Sequence, residues 1–451
     1  MALRTTLTLF ILFGLSLSAV DLDTKLLSKS HYIDKVTVNG SVAYVRYLRN
    51  KSSDEKIIYK DLDHAYFKPK WNFYTQPNKS DIIAVSELAP TDRYFNGALY
   101  NTLELEGECH DCTIALADKR LFEKKDNYII GAFQKSIDLD ALRTNIDLRH
   151  LKYLVVLAKS ASDIKLTSLH FLNHFDTKKL QHQKPAVWVW RAQDIDLDKL
   201  RRHHIKRVYL QVGKGFEAAA KRLYKNGYEV FGLDGDPHHI FNPEALYKSL
   251  ERVIRLNHDR PIVSGFQIDV EPHVLKSFDI NKALYIDQFV SLVKKLHTLS
   301  NDKGLCFSVV TPFWYDALEF HKRALIYTII DNSDEIVLMS YRSHPQEVLN
   351  ISSDELSYGS YRHKVVYIGV ELMPIVDEQH ELFILDKTVP CIVEKHMNDR
   401  CITLLPQQKY RIKGSNLSFH DAPQRLEDLL SREIQYPAFG GFVFHHLKGL
   451  H

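Results

Sequence analysis

Short apolar runs alternate with amphipathic stretches from residue 186 to the end of the chain. The helical stretches include one that begins at Asn242, a suitable N-cap, followed by Pro243 in the first turn. Eight strand–helix units in 186–451 have the number and length of a (β/α)8 barrel, or TIM barrel. The gap 375–439 is too long for one helix and predicts an insertion. The predicted strands are 186–190, 207–212, 229–234, 264–270, 305–312, 335–341, 365–372 and 440–447.

A doubly wound open sheet is the alternative fold for this α/β pattern. Such a sheet often carries a G-x-G-x-x-G turn after its first strand, where a dinucleotide binds. No such turn follows 186–190. The pattern therefore favours the barrel and predicts no dinucleotide cofactor.

Residues 20–175 show a different rhythm, with short alternating segments separated by turn residues such as Asn39-Gly40. This spacing is typical of an antiparallel β-sandwich. A polar stretch that ends in proline, 176–185, is the predicted linker to the barrel. The aromatic residues of 66–74 would serve either as the core of this domain or as a stacking surface of a carbohydrate-binding accessory module.

The N-terminus changes the expected location of the protein. Arg4 precedes the apolar run 7–17, and small residues follow, which is the pattern of a secretory signal peptide over 1–19. We expect a secreted, periplasmic or cell-envelope protein, with no membrane span after cleavage. An uncleaved membrane anchor is the alternative.

The charge and the cysteines exclude some functions. The formal net charge is +3, and without a basic block it does not predict nucleic-acid binding. One Cys-x-x-Cys pair, Cys109 and Cys112, is a weak zinc signal, and export favours a local disulfide instead. Cys391 and Cys401 are close enough in sequence to pair, and Cys306 lies in an apolar run as a buried thiol. No H-E-x-x-H pattern occurs, and we predict no metal.

The ends of the predicted strands carry most of the candidate chemistry, because the active face of such a barrel lies there. Carboxylates handle protons, and aromatic rings stack on the C–H faces of sugars. The mixture of both at one mouth predicts a carbohydrate site. The candidate residues are Trp188, Trp190, Asp234, Asp269, Glu271, Trp314, Tyr315, Tyr341, Arg342, Glu371 and His445.

Asp269 and Glu271 are the most informative of these residues. They lie two positions apart, so on a strand both side chains point to one face. Carboxylates are costly to bury unless they are paired or used, and Pro272 ends the strand directly after them. Asp234, by contrast, has an equally good structural explanation as a cap of the next helix, and Trp188 and Trp190 as barrel filling.

The stretch 264–272, "SGFQIDVEP", resembles the strand-4 motif of the chitinase-like family 18 glycoside hydrolases. Met339 and Tyr341 in "VLMSYR" are similar to the Met-x-Tyr of their sixth strand, and "GGFVFHHL" to their last strand. The barrel is also similar to uncharacterised bacterial glycoside-hydrolase-like proteins. Ser264 and Gln267 replace the first two acids of the family motif.

Two further positions depart from the family pattern. Arg342 stands in place of an acid or amide, and Phe444 or His445 in place of a tryptophan. Together with the two replaced acids, these departures leave specificity for N-acetylhexosamines open.

The resemblance implies an exported glycosidase with Glu271 as general acid. In the family 18 mechanism, Asp269 and the hydroxyl of Tyr341 support a substrate N-acetyl group that acts as nucleophile. In a second mechanism, similar to that of retaining clan A glycosidases, Glu371 is the nucleophile and Glu271 the acid and base. Rival functions are a catalytically inactive carbohydrate-binding barrel and an envelope scaffold. No cofactor is expected.

Overall fold

The computed structural model describes residues 26, 29–49, 57–58, 64–75, 81–90, 93–117, 127–143, 148–175, 183–321, 323–386 and 403–450. The predicted signal peptide, residues 176–182 of the predicted linker, Cys391 and Cys401 lie outside this part of the chain. No α-helix in the described residues has the length and apolar character needed to cross a membrane.

The strands before residue 180 are short and antiparallel, apart from one parallel two-residue pair. They are β1 (Tyr32–Val38), β2 (Ser41–Leu48), β3 (Ile57–Ile58), β4 (His64–Phe67), β5 (Asn72–Thr75), β6 (Ile82–Glu87), β7 (Tyr94–Phe95), β8 (Thr102–Cys109), β9 (Thr113–Ala117), β10 (Asn127–Ala132), β11 (Ser136–Asp138), β12 (Tyr153–Ala158) and β13 (Ile164–Leu172).

The later strands form the barrel and its attachments. They are β14 (Ala186–Val189), β15 (Arg207–Gln211), β16 (Glu229–Asp234), β17 (Gly265–Ile268), β18 (Cys306–Pro312), β19 (Glu319–Phe320), β20 (Arg323–Ala324), β21 (Glu335–Met339), β22 (Val365–Glu371), β23 (Glu378–Asp386), β24 (Thr403–Ile412) and β25 (Phe439–His445). The α-helices of the described residues are α1 (Leu197–Arg202), α2 (Phe216–Lys225), α3 (Glu244–Leu256), α4 (Phe278–Asn301), α5 (Leu325–Asp331), α6 (Pro345–Arg362) and α7 (Pro423–Ser431).

A closed barrel of eight parallel strands is the centre of the molecule. Its strands follow in the order β14, β15, β16, β17, β18, β21, β22 and β25, and β25 pairs with β14 to close it. All eight coincide with the strands predicted from the apolar runs, so the predicted TIM barrel is confirmed. The strands are mostly apolar because both faces are buried: Val208 and Leu210 pack towards the helices, whereas Tyr209 fills the interior.

Buried charges close the N-terminal end of the barrel. The Arg207 guanidinium donates to Glu229 Oε2 at 3.0 Å and to Glu335 Oε2 at 2.5 Å, and the Tyr209 hydroxyl donates to Glu335 Oε1 at 2.8 Å. Each carboxylate therefore has a cationic or hydroxyl partner, which offsets the cost of burial. The candidate catalytic residues lie at the opposite, C-terminal end of the barrel.

Two antiparallel sheets precede the barrel. One has the order β10-β9-β12-β6-β5 and the other β11-β8-β13-β4. Apolar residues from both sheets, such as Leu116 and Phe171, belong to one cluster. Cys109 and Cys112 form the predicted local disulfide at the edge of this cluster. The sandwich arrangement of the two sheets remains a prediction.

The first hairpin differs from the sequence-based expectation. We expected β1 and β2 to belong with the rest of residues 20–175. Instead, β1 pairs along its whole length with β23, which lies in the predicted insertion, and the sheet has the order β2-β1-β23-β24. Ile33, Val45 and Tyr47 of the hairpin pack with Ile280 at the start of α4. The alternating pattern predicted these strands, but it carried no information about a partner strand that lies at residues 378–384, far along the sequence.

Candidate active site

Asp269 and Glu271 lie just beyond the end of β17, at the C-terminal mouth of the barrel. Val270 between them is buried, and Pro272 begins a short 3-10 turn, Pro272–Val274. Asp269 Oδ1 is buried and has no hydrogen-bond partner among the described residues. Glu271 keeps a partly exposed carboxyl group. The two acids therefore form one site, in which Glu271 is the more accessible member.

Burial shifts the pKa of both acids upward. It raises the pKa of Asp269 to about 6, although His445 opposes the shift. It raises the pKa of Glu271 to about 8, and the negative charge of Asp269 adds to this shift. The pair titrates together, because one carboxylate disfavours ionisation of the other. At neutral pH the dominant state therefore has a protonated Glu271 beside an ionised Asp269.

His273 connects Glu271 to the next strand. Its Nε2 lies 3.3 Å from Glu271 Oε2, and its Nδ1 lies 3.1 Å from the Tyr315 hydroxyl. The ring packs edge-on against Trp314 at 4.9 Å between centroids. Burial lowers the pKa of His273 to about 4, so its imidazole is neutral at pH 7. A protonated Glu271 can then donate to Nε2 while Nδ1–H donates to Tyr315.

Tyr341, Glu371 and His445 form the other wall of the mouth. The rings of Tyr341 and His445 stack at 6.0 Å with an interplanar angle of 29°. His445 Nδ1 lies 2.5 Å from Glu371 Oε2, and Glu371 Oε1 accepts from the Met373 backbone N–H at 2.7 Å. Trp190 Nε1 donates to His445 Nε2 at 3.2 Å. Because an indole N–H only donates, Nε2 is the acceptor and Nδ1 carries the proton given to Glu371.

Charge–charge effects show that the two walls face the same space. Burial raises the pKa of the Tyr341 hydroxyl, and the charges of Glu371, Asp269 and Glu271 raise it further. The same two acids of β17 raise the pKa of Tyr315, after burial. Both phenols therefore stay protonated. Tyr315, a predicted substrate-binding residue, is 1% exposed, and its hydroxyl lies against His273 rather than in the mouth.

Trp188 does not lie where a substrate-binding residue would. Its side chain is 2% exposed, inside the barrel, and Nε1 donates to Gln267 Oε1 at 2.7 Å. Gln267 Nε2 in turn donates to Ser308 Oγ at 2.8 Å. The prediction that Trp188 contacts substrate is corrected accordingly. The period-two spacing correctly placed Trp188 and Trp190 on the same inner face of the barrel, but Trp188 lies two residues further from the mouth, in the packed interior.

Asp234 is used by the scaffold rather than left for a ligand. Its Oδ2 accepts from Ser249 Oγ of α3 at 2.5 Å, and its Oδ1 accepts from the Gly235 N–H at 2.8 Å. A Cβ at Gly235 would lie 1.9 Å from the Asp269 carbonyl oxygen. Asp234 and Gly235 thus hold the end of β16 closely against the backbone of Asp269, and the predicted substrate contact of Asp234 gives way to this positioning contact.

Arg342 and Trp314 are partly exposed near the site. The Arg342 guanidinium lies 4.8 Å from the centre of the Phe313 ring, and its Nη1 donates to the Tyr341 carbonyl at 2.8 Å. Trp314 packs edge-on against His273, as described above. Both residues are partly exposed, and their contact with a ligand stays a prediction.

A cleft of about 480 Å³ lies away from these acids. Its lining includes Asp138, His174, Tyr361 and Lys364, where the N-terminal sheets meet the start of β22. This is the opposite end of the barrel from Glu271. Among the described residues, no group of three or more His, Cys, Asp or Glu side chains has the arrangement of a metal site.

Comparisons with known proteins give a distant likeness in fold. No family model and no curated protein sequence matches the chain. Solved structures similar to it include a class V chitinase from Nicotiana tobaccum (9% identity, TM-score 0.36, covering 59% of this chain and 95% of that one). Another is the C-terminal domain of a chitinase from Desulfitobacterium hafniense (11%, 0.39, 60% and 95%).

The spore cortex-lytic enzyme SleL of Bacillus megaterium is also similar (10% identity, TM-score 0.35, covering 64% of this chain and 75% of that one). At these identities and scores the function has to be inferred from the residues of the site itself.

Two residues of the site, His273 and Gln267, are not among the candidate residues named from the sequence. His273 follows Glu271 by two positions, and the Glu-Pro-His order was a usable signal: a proline at the start of a short turn brings the following side chain back towards the residue before it. Gln267 was noted only as a replaced acid. Its role as a bridge between Trp188 and Ser308 depends on three separate strands, which no local pattern reveals.

Proposed function

We propose that this chain is an exported glycoside hydrolase-like enzyme that cleaves O-glycosidic bonds of an oligo- or polysaccharide, with Glu271 as general acid. The observation that carries this proposal is the raised pKa of Glu271, about 8, beside the lower pKa of Asp269, about 6. Two carboxyl groups in one barrel mouth are thereby given opposite protonation states at neutral pH. Such a separation is how glycosidases assign their acid.

Glu271 delivers its proton to the oxygen of the leaving sugar. The neutral His273 supports this role in two ways: it covers one side of the carboxyl group, and it accepts a hydrogen bond from the protonated form. Once the proton has left, the negative charge of Asp269 disfavours the ionised form of Glu271. The Glu271 carboxylate is therefore a competent base for the return step.

Asp269 and Tyr341 support the nucleophile. In a substrate with an N-acetyl group, the amide oxygen attacks the anomeric carbon while Asp269 accepts a hydrogen bond from the amide nitrogen. The Tyr341 hydroxyl, kept protonated by burial and by the surrounding acids, donates to the same group. The unpartnered Oδ1 of Asp269 is consistent with a bond that is completed by substrate.

Glu371 is better placed to hold His445 than to attack a sugar. Both of its oxygens already accept hydrogen bonds, from His445 Nδ1 and from the Met373 N–H. A nucleophile that gives up two charge-assisted bonds would lose reactivity. This observation favours the substrate-assisted mechanism over the mechanism that uses Glu371 as nucleophile.

An inactive carbohydrate-binding barrel is the second candidate function. The side chain of Gln267 is fully engaged with Trp188 and Ser308, and Ser264 is an exposed residue outside β17. Two of the acids of the family motif are therefore replaced by groups that cannot share a proton with Asp269. The same mouth would then bind a glycan without cleaving it.

Two further parts of the proposal concern location and domain roles. The sequence of residues 1–19 supports export to the cell envelope or outside the cell. The two antiparallel sheets supported by the cluster around Phe171 act as a β-sandwich accessory module, with the linker at 176–185. Both follow from the sequence patterns described above.

The test is release of reducing ends from a broad glycan panel by the chain without residues 1–19. Wild type should release sugar from one glycan class, and Glu271→Gln should not. Equal release by both proteins would show that Glu271 is not the general acid. Retention of a glycan without release by either protein would favour the inactive binding barrel.

A further inference from the structure

Gln211 is the last residue of β15, and its side chain lies on the inner side of the barrel. Tyr209, two positions earlier, belongs to the interior cluster, whereas Val212, one position later, packs with the helices. Side chains alternate along a strand, so Gln211 shares the inner face with Tyr209. Gln211 is also partly exposed. It therefore lies where the barrel interior opens at the C-terminal mouth.

The register of the barrel gives the depth of Gln211 in the mouth. A row of paired residues starts at Gln211 and continues through Leu233, Gln267, Ser308 and Glu335. Because Gln211 ends β15 whereas Glu335 begins β21, the row descends away from the mouth. A TIM barrel is staggered by about eight residues over its eight strands, which is about one residue at each step. Asp269, two positions after Gln267, therefore lies level with Gln211.

Gln211 belongs to a layer of four inward side chains from alternate strands, which is how a TIM barrel is filled. Met339 is a member because it lies four positions after Glu335, which is four steps down the row. His445 is a member whose charge acts on Asp269. Asp269 belongs to the acid pair, Met339 packs against the interior cluster, and His445 is held by two hydrogen bonds. Gln211 is the remaining member, and its contacts differ from those of the other three.

The carboxamide of Gln211 is not used by the scaffold. In the described part of the chain it makes no hydrogen bond to another residue. The other glutamine of the barrel interior behaves differently: Gln267 accepts from Trp188 Nε1 at 2.7 Å and donates to Ser308 Oγ at 2.8 Å. An amide has two N–H donors and a carbonyl acceptor. At Gln211 all of them are available to a ligand in the mouth.

We propose that Gln211 is a specificity residue of the active site, whose carboxamide binds a hydroxyl group of the sugar ring that lies beside Asp269. The two residues are two strands apart, with roughly 10 Å between their backbones. On β16 between them, Leu233 lies below this level and Gly235 above it has no side chain. No side chain of β16 therefore fills the space between the carboxamide and the carboxylate. A carboxamide both donates and accepts, which matches a sugar hydroxyl.

The charges around Gln211 limit the class of sugar, which deepens the proposed function on which this inference rests. Asp269 is ionised at neutral pH, and Glu371 in the other wall accepts two hydrogen bonds as a carboxylate. An acidic sugar would add a third negative charge to this space. Arg342, a cation at the mouth, follows β21, which lies across the barrel from β15. The ring beside Gln211 is therefore a neutral sugar and not a uronic acid.

The experiment is calorimetric titration of the full chain that carries Glu271→Gln, so that no sugar is cleaved. The probes are chitotetraose, cellotetraose and mannotetraose, which are neutral, and tetragalacturonate, which is anionic. The parent should bind one of the neutral probes most tightly. Gln211→Met keeps the length of the side chain without its amide and should weaken that binding by roughly threefold to tenfold. Gln408→Met, at an exposed position of β24, is the matched control and should have no effect.

Three results would overturn the inference: binding of no neutral probe by the parent, tightest binding of tetragalacturonate, or equal affinity of Gln211→Met and the Gln408→Met control. Thermal unfolding separates loss of binding from loss of fold, and it should be unchanged in Gln211→Met because the protein loses no hydrogen bond of its own. Failure of the enzyme proposal is distinguishable, because wild type would then release no reducing ends while binding still depends on Gln211.

Discussion

Glu371 and His445 are paired residues on the neighbouring strands β22 and β25, and their side chains meet at 2.5 Å between Oε2 and Nδ1. The indole of Trp190 fixes the opposite nitrogen of the imidazole as an acceptor. His445 is therefore held in one tautomer and one orientation, stacked on Tyr341. This relationship supports the proposal that Glu371 holds His445 and Tyr341 in place rather than attacking a sugar.

Replacement of Glu371 by glutamine should lower kcat/KM by roughly ten- to a hundredfold, because His445 and Tyr341 lose their fixed position. Removal of a covalent nucleophile would lower activity far more, by about a millionfold. Added azide should not restore activity to Glu371→Ala. Steady-state kinetics on the glycan found in the panel would measure both, with the exposed Glu427→Gln of α7 as control. Azide rescue would contradict the assignment.

The pH dependence of stability should report on Glu271. In the folded protein burial raises the pKa of this carboxyl group to about 8, whereas its ordinary pKa is 4.5. The folded state therefore binds more protons than the unfolded state in this window, and the free energy of unfolding falls as pH rises through it. Glu271→Gln removes this loss, so it should stabilise the protein more at pH 9 than at pH 5.

Chemical unfolding at a series of pH values would measure that difference. The control is Glu251→Gln, at an exposed position of α3, which should leave the pH dependence of wild type unchanged. An unfolding free energy that depends on pH identically in wild type and Glu271→Gln would show that Glu271 is not held in its protonated form.

His273→Ala should shift the basic limb of the pH–kcat/KM profile to lower pH. The imidazole shields Glu271 from water and accepts a hydrogen bond from its protonated form, and both effects favour the proton. Without the ring, Glu271 loses its proton at a lower pH and the enzyme is left without its acid. Tyr315→Phe keeps the ring of His273 in place and should shift the limb less. If the basic limb does not move in His273→Ala, the contact between His273 and Glu271 does not help Glu271 to keep its proton.

Much of the barrel could be predicted from the sequence, because a parallel strand buried on both faces leaves an unbroken apolar run. Asp269 and Glu271 were identifiable for the same reason: they interrupt such a run at its end. The fate of Trp188 could not be predicted, since burial inside a barrel and exposure at its mouth share the same period-two spacing. The pairing of β1 with β23 was equally hidden, because a strand's own pattern specifies its faces and not its neighbour.

Gly235→Ala should lower stability by about 1–3 kcal/mol and reduce activity as well. The new Cβ would lie 1.9 Å from the Asp269 carbonyl oxygen, so the backbone that carries the acid must move. Gly213→Ala is the control, since a Cβ there meets nothing within 4 Å. Thermal unfolding and kcat/KM would be measured on both variants. Equal behaviour of the two would show that the end of β17 does not depend on this close approach.

The most direct measurement of the central claim compares leaving groups. With Glu271→Gln, hydrolysis of a substrate whose leaving group is an ordinary sugar alcohol should fall by roughly 10² to 10⁴, the usual contribution of a general acid. Hydrolysis of the matching dinitrophenyl glycoside, whose leaving group needs no proton, should fall by less than about tenfold. An equal loss for both substrates would contradict the account, because Glu271 would then act in some step other than protonation of the departing oxygen.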